Sequence, residues 1–80
     1  MPTDALRIDE TEAVLEELIA YQRKRVLDGA RRLNPRLTED DILNPDDFPE
    51  LMASAAWTYE EGILAGYRSA QVALRARYRR

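Results

Sequence analysis

The chain has 80 residues, a formal net charge of −3, and neither cysteine nor histidine. That length makes one domain near the lower limit for a single core, and the composition closes off both a disulfide framework and thiolate or imidazole metal sites. No apolar run approaches the roughly 20 residues of a membrane span and the first residues are acidic, so a cytoplasmic protein without membrane attachment is expected.

Residues 1–8 read as a flexible arm on the 1–80 domain. Asp9 and Glu12 stand at capping-box spacing and place the start of a first helix at about Glu10. Leu15, Ile19, Gln22, Val26, Ala30 and Leu33 then recur at intervals of three and four, the stripe that an amphipathic helix buries. Gln22 is the one polar member, expected at the stripe edge or bonded to a partner amide. Asn34-Pro35 ends the helix, because the residue before a proline is driven out of the helical region.

The crossover, RLTEDDILNPDDFPELMASAAW, is dense in turn signals. Thr38 and Asp41 form a capping box, and Leu37 with Ile42 suits a hydrophobic staple. Asn44-Pro45 and Phe48-Pro49 each open a further short turn. The apolar residues here are expected to fold back as a third wall for the core, with a break near Trp57 before the last helix.

Thr58 to Tyr78 is the most helix-like run. Thr58 and Glu61 have capping-box spacing, and Ile63, Tyr67, Ala70, Leu74 and Tyr78 form the apolar stripe. Gly62, Gly66 and Ala70 leave one line of the helix nearly bare. Glycine in a helix costs about 1 kcal/mol against alanine, so a close helix contact is expected along that line, either with the chain's own first helix near Gly29 or between subunits. Gly62, Ile63, Gly66, Tyr67, Ala70 and Leu74 are the candidate interface residues.

Charge falls in alternating blocks: net −5 over residues 1–20, +5 over 21–36, −8 over 37–61 and +5 over 62–80. Each long helix begins acidic and ends basic, which favours antiparallel packing and suits the helix dipoles. The expected fold is all-α: an antiparallel hairpin of two long helices with a structured crossover, dimerising into a helical bundle.

Chemistry is harder to place. The acids Glu39, Asp40, Asp41, Asp46, Asp47 and Glu50 lack the alternating spacing and glycine of a calcium loop. Magnesium-binding helical nucleotide pyrophosphatases carry paired ExxE and ExxD motifs on successive helices, and no second pair occurs here. No nucleophile with an adjacent base and no phosphate loop is present, so no catalytic residue, cofactor or metal is assigned. The expected role is a homo-oligomeric protein-interaction or scaffold module. Its first alternative is a small-ligand or anion-binding domain or enzyme using Arg25, Arg32 and Arg36. A weaker alternative is nucleic-acid contact through Arg75, Arg77, Arg79 and Arg80, which the neighbouring acidic blocks oppose.

Overall fold

Asn34-Pro35 reverses the chain, and two long helices lie antiparallel on either side of the crossover. The computed structural model describes residues 2–78, with side chains from Arg7 onward. Helix α1 spans Pro2–Leu33, two 3₁₀ turns cover Asp41–Leu43 and Pro45–Asp47, α2 is the short Pro49–Met52, and α3 spans Ala55–Arg77. Most of the arm expected over residues 1–8 falls outside the residues whose side chains are described.

Local chemistry explains the ends. Asn34 stops α1 and its Oδ1 accepts from the Arg36 N–H at 3.1 Å, while its Nδ2 donates to Glu50 at 3.2 Å. Thr38 and Asp41 form the reciprocal capping pair: the Thr38 N–H donates to Asp41 Oδ2 at 2.9 Å, and the Asp41 N–H to Thr38 Oγ1 at 3.3 Å. Pro45 and Pro49 each sit in the first turn of their segment, where a missing N–H costs nothing.

Two expected boundaries are corrected. Asp9 and Glu12 lie inside α1, which begins at Pro2 instead of Glu10. The break before α3 falls at Ala53-Ser54, three residues ahead of Trp57, because the Ser54 hydroxyl accepts from the Trp57 N–H at 3.1 Å and caps the helix there. Thr58 is therefore not a cap; its hydroxyl donates back to the Ser54 carbonyl at 2.9 Å. Asn44-Pro45 opens the second turn as expected, with no side-chain capping bond from Asn44.

The core is small and one-ended. Ile19, Val26 and Ala30 of α1 meet Trp57 and Leu64 of α3, and Leu37 and Leu51 from the crossover are sealed beneath them, with Ile42, Phe48 and Tyr67 packed around the edge. The crossover is thus the third wall. The Trp57 indole N–H donates to the Val26 carbonyl at 3.1 Å, so the largest core side chain also leaves no polar atom unpaired.

The charge blocks meet within the chain. Arg75 near the end of α3 pairs with Glu12 at 3.4 Å and Glu16 at 3.2 Å, and Arg25 of α1 pairs with Glu60 at 2.6 Å. These contacts join the acidic beginning of each helix to the basic end of the other.

The molecule is a rod of 50 × 20 × 17 Å with a radius of gyration of 15.5 Å, against about 11.6 Å for a compact domain of this length. Beyond the crossover, two helices stand with no third element against them among the described residues.

Candidate functional site: the open face of the hairpin

Helices in water usually turn charge outward and apolar groups inward. In α3 the buried residues are apolar as usual, Trp57 and Leu64, but the outward side carries little charge. Glu60 and Glu61 are half-buried against the hairpin, while of the exposed α3 residues between Ala55 and Ala73 only Arg68 is charged. The rest are alanines, glycines, serine, threonine, tyrosine and valine.

The glycines lie on this outward face. A Cβ built on Gly62 or Gly66 meets nothing within 4 Å, so neither glycine admits α1 to close approach. The contact with the chain's own first helix is therefore excluded as the reason for them. Gly29 does not meet the row either; its would-be Cβ touches Trp57 at 3.6 Å. Two glycines in a solvent-facing helix cost about 1 kcal/mol each relative to alanine, and nothing within the described chain offsets that cost.

The sequence-derived interface set divides by size. Gly62, Gly66 and Ala70 are exposed, and Ile63, Tyr67 and Leu74 are half-buried along the border with α1. Val14, Leu18 and Tyr21 of α1, spaced by four and three, are exposed at 53%, 38% and 62%. Arg25 continues their line and reaches Glu60, which begins the line Ile63–Tyr67–Leu74 on α3. The two lines border one open side, adjoining the glycine row.

A polar clasp stands at the inner margin. Gln22, buried, donates through Nε2 to the Glu60 main-chain carbonyl at 2.8 Å and to its carboxylate at 2.6 Å. Arg25 holds the same carboxylate through Nε at 3.1 Å and Nη2 at 2.6 Å. The Arg25 hydrogen bonds, then that from Gln22, hold the Glu60 carboxyl down to about 2 from its ordinary 4.5.

Two of the three candidate anion residues line one cavity. Arg25 is bound to Glu60, and Arg32 shares a cavity of about 250 Å³ with it beside Gly29 and Trp57. Arg36 is exposed in the turn after α1 and does not line that cavity. A second cleft of about 200 Å³, under the crossover, contains Arg23 and Arg68 together with Glu39 and Glu61, so its charges balance. Among the described residues no group of three acids is arranged to hold a metal ion, and no helix is long and apolar enough to cross a membrane.

Comparison with family models, with curated proteins and with solved structures finds no match to this chain.

Proposed function

We propose that this protein is a self-associating interaction module in which a second copy covers the outward face of α3. The observation that carries the reading is the uncharged outward face of α3, with two glycines whose helical cost no contact among the described residues offsets.

A charge placed on the face tests the reading. Ala70→Glu is expected to lower the solution mass to that of one chain. Ala13→Glu, at an exposed site on α1 outside the proposed face, is expected to leave the mass of two chains. Equal behaviour of the two variants would overturn the assignment of this face.

A further inference from the structure

Ala55, Tyr59, Gly62, Gly66, Ser69, Ala73 and Ala76 follow one another at intervals of four, three, four, three, four and three, and every one is exposed. That is a continuous heptad seam, with the mean spacing of 3.5 that keeps one line of a helix against another in a left-handed pair. It faces away from α1, so it is not the seam of the hairpin.

The seam is also symmetric in size about its middle. Reversed upon itself about a point between Gly62 and Gly66, it sets Gly62 against Gly66, Ala55 against Ala73 and Tyr59 against Ser69. Each layer then holds two small residues, or one large with one small. In a twofold antiparallel pair each layer joins one seam position to the other kind, as these pairings do. A parallel pair would instead place Tyr59 against Tyr59 at one level and leave glycine against glycine at two.

Charge selects the same direction. Residues 62–80 carry five bases and no acid, and residues 37–61 carry eight acids and no base. A parallel pair would align the basic ends side by side. The antiparallel pair brings Arg77 of one copy to the crossover end of the other, where Asp46 and Asp47 are exposed and make no ion pair among the described residues.

We infer that two copies of this chain pair through α3, antiparallel, on a twofold axis between Gly62 and Gly66, with Ala55 of each copy against the partner's Ala73. The inference rests on the self-association reading above and adds its direction and register. Small side chains let the helix axes approach to about 8 Å, which is what the two glycines provide. The α3 helices form the inner layer, and each α1 stays on the outside of its own copy.

The absence of cysteine from the chain makes the register directly readable. Ala55→Cys and Ala73→Cys are prepared separately, then mixed, refolded together and oxidised. The mixture is expected to give a disulfide-linked pair in the share that random pairing puts in mixed dimers, and neither variant alone is expected to link. In this register the two copies of residue 55 stand about 27 Å apart along the axis, far beyond the roughly 4.4–6.8 Å between Cα atoms that a disulfide spans. Linking of each variant to itself would show a parallel pair and overturn the inference. No link in a sample with the mass of two chains would place the contact elsewhere, overturning the register while leaving self-association standing. A mass of one chain for the wild type would overturn both.

Discussion

Gln22 Nε2 donates at 2.8 Å to the Glu60 main-chain carbonyl, 38 residues away in sequence, and ties the middle of α1 to the first turns of α3. Because Gln22 is buried, the same bond that satisfies its amide fixes the register of the hairpin. Gln22→Met keeps the volume and removes the bond. It is expected to destabilise the fold by about 1 kcal/mol, read as a lower urea midpoint with an unchanged slope.

The Glu60 carboxyl, held near 2 by Arg25 and Gln22, gives the fold a defined response to acid. Its affinity for protons is lower in the folded chain than in the unfolded one. The stability it contributes is therefore complete above the ordinary value of 4.5 and is lost as pH falls from there through about 2. Glu60→Gln is expected to flatten the stability profile across that window, measured by thermal melting at stepped pH.

Leu51 is fully buried although it comes from a helix of four residues. The crossover therefore contributes core directly, and Leu51→Ala should cost about 2–5 kcal/mol. For a chain this small that is most of the stability, so the variant is expected to be largely unfolded by circular dichroism at room temperature. A stable variant would show that the helix pair holds without its third wall.

The glycine pair gives a prediction with two signs. In the single chain Gly62→Ala with Gly66→Ala meets open space and should raise helix stability by about 1 kcal/mol per site. Where α3 packs closely on a second copy, the added methyls push the axes apart. The double variant is expected to dissociate at higher protein concentration than the wild type while melting higher at high dilution.

The two ends of the crossover were legible in the sequence to different degrees, for physical reasons. Asn34-Pro35 and the Thr38–Asp41 pair are settled by residues within three positions of each other, and both stand in the structure as their spacing indicates. The start of α3 misled because Thr58 and Glu61 imitate a cap while Ser54, followed by two alanines, offers no periodic signal. The direction of the glycine row was not legible. Gly62 and Gly66 border the stripe of Ile63, Tyr67 and Leu74, and only the centring of the buried side on Trp57 and Leu64 turns the row outward. The partner of Gln22 lies too far along the chain for spacing to reveal.

The most direct measurement is the mass in solution by light scattering after size exclusion, across a tenfold range of concentration and at low and high salt. An apolar seam with charges only at its ends predicts twice the chain mass of 9.2 kDa, holding at high salt because little of the contact is ionic. A mass of one chain at every concentration would contradict the account, since the uncharged face of α3 would then stand open in water.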